Sequence, residues 1–172
     1  LEFITIATTG DSADFGELNR VVSDMAGSFA SPTRGFFCGG KPETNIIDYI
    51  TIQTKGNAID FGDLIDGTRA EGSGASNTTR GLCFGGSGPG ANDTIQYITM
   101  ATLGDAVDFG DPLSMGSQHM GCASPTRAIF GAGINPSSIT TNVEYIQIMT
   151  TGNAVDFGDC TARDETRGAC SN

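Results

Sequence analysis

Hydrophobic and polar positions alternate along most of this chain. In Tyr49-Ile50-Thr51-Ile52, ring, aliphatic, β-branched polar and aliphatic side chains follow one another, so Ile50 and Ile52 share one face of a strand and Tyr49 and Thr51 the other. Both faces are substantially apolar, as expected of a sheet packed between two others. Thr54-Lys55-Gly56-Asn57 reads as a turn, because Gly and Asn tolerate positive φ, and it returns the chain into Ile59-Asp60-Phe61 as an antiparallel partner. Gly81-Leu82-Cys83-Phe84 reads as a further strand that ends at Gly85-Gly86, where missing side chains permit a bulge or a close backbone approach. A less regular stretch such as Met115 to Cys122 is expected to supply a fourth strand. No useful window carries a 3.6-residue period, so very little helix is predicted.

The pattern returns four times. FITIATTGDSADFGE starts at Phe3, YITIQTKGNAIDFGD at Tyr49, YITMATLGDAVDFGD at Tyr97 and YIQIMTTGNAVDFGD at Tyr145, with spacings of 46, 48 and 48 residues. Between them a second element recurs: SPTRGFFCGG from Ser31, NTTRGLCFGG from Asn77 and SPTRAIFGAG from Ser124. The units run over about residues 1–30, 31–76, 77–123 and 124–172. Four short strands in each 46–48 residues predict an all-β, β-propeller-like chain of four-stranded antiparallel blades.

The order of a Gly-Gly strand, a variable loop, an aromatic-led strand, a turn and a second aromatic strand resembles the kelch class of propeller repeat. The residues that carry the resemblance are Gly39-Gly40 with Tyr49 and Phe61, and Gly85-Gly86 with Tyr97 and Phe109, with Phe where kelch repeats carry Trp and Ala132-Gly133 in place of one double glycine. The G-N-A-x-D-F-G-D wording is also similar to tandem repeats of phage virion proteins, which implies a virion or extracellular setting. Blades of this kind bury their faces only by stacking on neighbours. The phase suggests about three and a half blades, since Leu1 to Ala7 opens inside one blade and residue 172 falls where the next T-R-G strand is due. Three arrangements fit: a segment of a longer propeller, favoured because a cut blade exposes an open edge; two chains completing one ring; or a four-bladed ring lacking one strand.

Composition narrows the partners. The 172 residues carry 9 Lys+Arg against 20 Asp+Glu, a formal charge of −11, so a basic face for nucleic acid cannot be assembled. No apolar run approaches the roughly 20 residues that span a bilayer, and membrane insertion is not expected. Cys38, Cys83, Cys122, Cys160 and Cys170 form no CxxC or Cys/His cluster and read as free thiols. Much of the acidity is copied from repeat to repeat, including Glu2, Asp48 and Glu144, and so says little about a cationic partner.

The recurring polar residues are the candidate chemistry. Asp14, Asp60, Asp108 and Asp156 precede Phe15, Phe61, Phe109 and Phe157, the expected core aromatics, and Asp11, Asn57, Asp105 and Asn153 lie three residues earlier. Such oxygens could hold calcium, but their every-third-residue spacing is unlike an EF-hand loop, and bonding to backbone N–H in turns and pairing with recurring Arg is the favoured reading. No cofactor is otherwise expected. Arg34, Arg80 and Arg127 in T-R-[GA], with Arg20, Arg69 and Arg163 after Phe-Gly, fit inter-blade bracing to the repeated Asp; a ring of Arg capturing an anion or glycan is the alternative. His119 has no counterpart in other repeats and no nucleophile elbow beside it, and Gly85 to Gly90 lacks the Lys-Ser/Thr of a phosphate loop.

Individuality lies in the loops at residues 41–46, 87–94 and 134–141, with Lys41, Glu43, Asn45, Asn92, Asp93, Asn135 and Ser137 as candidate ligand-facing residues. The expected function is therefore non-enzymatic: a scaffold displaying loops to protein subunits or a surface glycan. The alternatives are a carbohydrate-active propeller using paired Asp, and calcium-dependent adhesion.

Overall fold

The computed structural model describes residues 1–42, 44–65, 71–87, 94–114, 116–134, 138–161 and 169. Among them there are strands and turns but no helix. Strands β1 (Glu2–Phe3) and β2 (Ala13–Asp14) make a small antiparallel sheet. Three four-stranded antiparallel sheets follow, each a simple meander: β3 (Gly27–Ala30), β4 (Arg34–Cys38), β5 (Ile46–Thr51) and β6 (Ile59–Asp63); β7 (Ser73–Ser76), β8 (Arg80–Phe84), β9 (Ile95–Thr99) and β10 (Val107–Gly110); β11 (Met120–Ala123), β12 (Arg127–Gly131), β13 (Asn142–Gln147) and β14 (Val155–Asp159). Each sheet begins one strand ahead of its T-R-[GA] strand. The irregular stretch after Met115 thus enters the fold as β11, paired along its length with β12.

Local chemistry sets these boundaries. Ahead of each T-R-[GA] strand, a short polar side chain accepts the N–H of the arginine: Ser31 Oγ from Arg34 at 3.0 Å, Asn77 Oδ1 from Arg80 at 2.8 Å and Ser124 Oγ from Arg127 at 3.1 Å. This Asx- or Ser-turn competes with continued extension and folds the chain back three residues on. After the aromatic-led strand, the N–H of Thr54, Thr102 and Thr150 bonds the carbonyl of Thr51, Thr99 and Gln147, and Thr8 bonds Thr5 in the first repeat. The aromatic-led and F-G strands then pair with a register shift in every four-stranded sheet, at Ile47/Asp48, Asp108/Gly110 and Val143/Glu144.

The first strands of the sheets lie side by side, β3 against β7 and β7 against β11. Small residues allow it: a Cβ built on Gly74 would stand 2.5 Å from the Ser28 carbonyl oxygen, and Ser76 Oγ donates to Ala30 O at 2.8 Å. The apolar core forms between sheets and not within them. Phe36, Ile47, Phe61 and Leu64 of one sheet meet Cys83, Ile98, Met100 and Ala106 of the next. The following interface repeats this with Leu82, Phe84, Ile95 and Phe109 against Phe130, Ile146, Ile148 and Ala154. The alternation along the aromatic-led strand thus serves two neighbours, with Tyr49 turned toward the next repeat and Ile98 and Ile146 toward the one before.

Candidate functional site

The chemistry-bearing residues that recur converge on the joints between repeats. The first joint element is a backbone latch. Gly56 N–H donates to Phe15 O at 2.9 Å, Ala58 N–H to Glu17 O at 2.8 Å, and the N–H of Glu17 returns a bond to Asn57 Oδ1 at 3.0 Å. The same three bonds join Gly104, Ala106 and Asp105 to Phe61 and Asp63, and Gly152, Ala154 and Asn153 to Phe109 and Asp111. The latch explains the wording G-[ND]-A and F-G-[DE]: a carboxamide or carboxylate oxygen to accept, a small residue to be covered, and a glycine where the two backbones touch. At Gly110, with φ of +142°, a Cβ would come within 2.5 Å of the Gly152 carbonyl carbon.

The second element is an arginine stacked on a tyrosine. The guanidinium carbons of Arg34, Arg80 and Arg127 stand 4.7, 4.3 and 4.8 Å from the ring centres of Tyr49, Tyr97 and Tyr145. From that perch Arg34 Nη1 donates to Met100 O and Arg80 Nη1 to Ile148 O, each at 2.9 Å, reaching the next sheet. Their partners are carbonyls, not the repeated Asp expected from sequence. Asp14, Asp60, Asp108 and Asp156 face solvent, and Asp108 and Asp156 bond their own i+2 N–H groups at Gly110 and Gly158. The pleat accounts for the difference, since Asp60 is exposed on β6 whereas Arg34 stacks on Tyr49 at the inter-sheet face.

A third element was not anticipated from sequence. Asp48, Gln96 and Glu144 share one position, which is fully buried in all three four-stranded sheets, and each accepts bonds from the connection that leaves the preceding F-G strand. Asp48 takes Asn19 Nδ2 at 2.9 Å and a salt bridge from Arg20; Gln96 Oε1 takes Ile65 N–H at 2.8 Å; Glu144 takes the N–H groups of Leu113 and Ser114 at 2.7 and 2.9 Å. Burying these groups without partners would cost several kcal/mol, roughly 2–7 for a neutral one, so each fixes the path of its strap. Their signal in the sequence was the recurrence of a polar residue directly before each tyrosine. A fourth element is a backbone chain: Asp24, Glu71 and Gln118 adopt φ of 46°, 57° and 57°, and Glu71 N–H bonds Asp24 O while Gln118 N–H bonds Glu71 O.

The candidate loop residues fall elsewhere. Lys41 is half-buried and pairs with Glu71, whose carboxyl it holds below the usual range. Asn45 lends its carbonyl to Leu64 N–H at 2.7 Å. Glu43, Asn92, Asp93, Asn135 and Ser137 lie outside the described residues, as do Arg69 and Arg163. No protein-family model matches the chain, and no curated protein is significantly similar to it. The joints and loops therefore have to be read on their own chemistry.

Cys38, Cys83 and His119 are buried, whereas Cys122 and Cys160 are half-buried. Cys38 and Cys83 lie in one inter-sheet core, and the Cys38 thiol is pushed up by its bond to Cys83 and by burial, which keeps it protonated. His119 is wedged among Gly85, Gly116 and Gly133, and burial lowers its pKa. Among the described residues no three His, Cys, Asp or Glu side chains come together as a metal site. Where the [SN]-x-T turns of three repeats meet, Ser31, Pro32, Asn77, Thr78, Ser124 and Pro125 line an open cavity of ≈ 250 Å³.

Proposed function

We propose that the chain is a structural and interaction module: a kelch-resembling, propeller-like scaffold whose repeats hold one another rigidly while the loops that do not repeat contact a partner protein or a surface glycan. One observation carries this reading. Asn57, Asp105, Asn153, Arg34, Arg80, Asp48, Gln96 and Glu144 each bond a neighbouring repeat, so these recurring polar groups are engaged in holding repeats together, while Asp14, Asp60, Asp108 and Asp156 face solvent. The non-repeating segments 41–46, 87–94 and 134–141 are where the sequence of one such chain would differ from another. Their Asn, Ser, Thr and Gly content suits hydrogen bonding to sugar hydroxyls or a protein backbone. Rigid display lowers the ordering cost of binding, which is the mechanism of the scaffold. The phage-like wording favours a virion or tail assembly as its setting.

The test is a defined glycan array, with a protein cross-linking screen beside it, read with the wild-type chain and with a variant in which Glu43, Asn92, Asp93, Asn135 and Ser137 are replaced by Gly. Binding that disappears in the variant while the melting temperature stays within a few degrees is expected. Cleavage of a bound glycan would establish the carbohydrate-active alternative instead. A chelator that lowered the melting temperature would establish the calcium one.

A further inference from the structure

We propose that Cys38 and Cys83 close an inter-sheet disulfide when the chain folds in the presence of a thiol oxidant, and that this bond staples sheet β3–β6 to sheet β7–β10. The two cysteines belong to consecutive repeats and to strands that do not pair, β4 and β8, yet both are buried in the same core. Their thiols are hydrogen-bonded to each other across the joint. Glycine makes the room. Gly27 faces Cys38 in the β3–β4 register, and a Cβ built on it would stand 3.1 Å from Cys83 Sγ. Gly74 faces Cys83 on β7, whereas the residue matched to Gly27 in that sheet is Ser73, opposite Phe84.

The next joint shows that these two positions face each other. Counted from the arginine of T-R-[GA], Cys38 matches Phe84 and Cys83 matches Phe130. Phe84 and Phe130 stack across their joint with ring centres 4.3 Å apart, in a core that holds no cysteine among the described residues. Hydrocarbon therefore suffices to close such a joint, and a facing pair of thiols adds a covalent option that the rings lack. Burial decides when the option can be used. In the folded, reduced chain the Cys38 thiol is pushed up by its bond to Cys83 and by burial, so it keeps its proton, while the attacking species in thiol exchange is the thiolate. The bond is set while the joint is open during folding, and packing then shields it. Glutathione disulfide is a sufficient oxidant. One cysteine thiolate attacks it and expels a glutathione thiolate, which takes up a proton. The second cysteine loses its proton and attacks the mixed disulfide, expelling the other glutathione, so two cysteines are oxidised as one glutathione disulfide is reduced to two thiols.

Refolding in glutathione buffers of rising oxidised fraction, followed by alkylation and non-reducing peptide mapping, tests this. The expected product is a chain lighter by two hydrogen atoms, with the Cys38 and Cys83 peptides joined and Cys122, Cys160 and Cys170 alkylated. It should melt about 5 °C or more above the reduced wild type, because the bond restricts the unfolded chain. Cys38→Ala and Cys83→Ala each leave a cavity, so the quantity read is the difference between oxidised and reduced preparations of the same variant, and that difference should vanish. Wild type folded first in reductant and then moved to the oxidising buffer should form the bond roughly 10-fold more slowly than the refolding chain, or slower still. The proposal is overturned if no Cys38–Cys83 peptide forms at any glutathione ratio, if Cys83 links to Cys122 instead, if the linked chain melts no higher than the reduced one, or if folded and refolding chains react equally fast. None of these readouts depends on what the loops recognise.

Discussion

Phe61 and Phe157 sit in the same words, I-D-F-G-D and V-D-F-G-D, and in the same strand of the same kind of sheet, yet one is covered by the next repeat and the other faces solvent. The contrast extends along the whole chain. Ile6, Ile52 and Ile148 are matched residues with exposures of 95%, 42% and 0%, following how much of a preceding repeat lies against each. Local sequence therefore sets strand, turn and φ, while burial is supplied by the neighbour. That is the condition under which stability becomes a sum of repeat and nearest-neighbour terms, with the second dominating. It also means that a matched pair of substitutions, one at an internal joint and one at the open end, separates the two terms.

The largest separation is expected at the phenylalanines. Phe61→Ala removes a ring packed edge-on against Phe36 and Tyr49 and should cost about 3–5 kcal/mol in denaturant unfolding. Phe157→Ala should cost less than about 1 kcal/mol. Equal costs would mean that the ring stabilises its own sheet and would break the comparison. Next come the glycines. Gly110→Ala must place a methyl against the Gly152 carbonyl as well as accept a positive φ, and should cost about 2–4 kcal/mol. Gly158→Ala meets only the backbone penalty of about 1 kcal/mol. Arg80→Lys keeps the charge but loses the planar stack on Tyr97 and the aimed bond to Ile148 O, for about 1 kcal/mol, whereas Arg127→Lys should be close to neutral.

How far these joints could be read from the sequence depends on whether their signal is periodic. The strands and the antiparallel pairing of Tyr49 with the Phe61 strand follow from alternation, and the all-β, four-stranded sheets carry them, whereas the turn expected at Thr54–Asn57 closes earlier, with Thr54 N–H on Thr51 O, and leaves Gly56 and Asn57 to the latch. Asp60 and Arg34 were legible as recurring, but recurrence does not give direction. Only the pleat and the stack on Tyr49 send Arg34 to a carbonyl 66 residues away and leave Asp60 to solvent. Asp48, Gln96 and Glu144 were harder still, because the position changes residue type while keeping one task, accepting N–H groups from a strap. A carboxylate there looks like surface charge until its burial is known. The register shifts at Ile47/Asp48 and Val143/Glu144, beside these acceptors, have no signature in a period-two pattern.

The smallest effect sharpens a difference among the internal joints themselves. His119 has no counterpart in the other repeats and is packed against Gly85 and Gly133, so it titrates one joint alone. Burial lowers its pKa below the ordinary imidazole value of about 6.5, outweighing the Gly116 backbone bond and the Glu144 charge that favour the imidazolium. The unfolded chain then binds a proton that the folded chain refuses. Its contribution is therefore complete above pH ~6.5 and is lost as pH falls below that value, by at most about 1.4 kcal/mol per pH unit. Glu71 acts in a lower window: Lys41 depresses its carboxyl, so its contribution is present above the unfolded carboxylate value and is lost as pH falls through the folded one. Amide exchange should thus show protection near Gly85, Gly116 and Gly133 falling as pH drops below ~6.5, before any loss at the Phe15–Gly56 latch. In a His119→Gln variant the two joints should lose protection together, at the lower pH. A wild type that keeps its protection near Gly85, Gly116 and Gly133 through the higher window would show that His119 takes up its proton in the folded chain and that the internal joints are equivalent in acid.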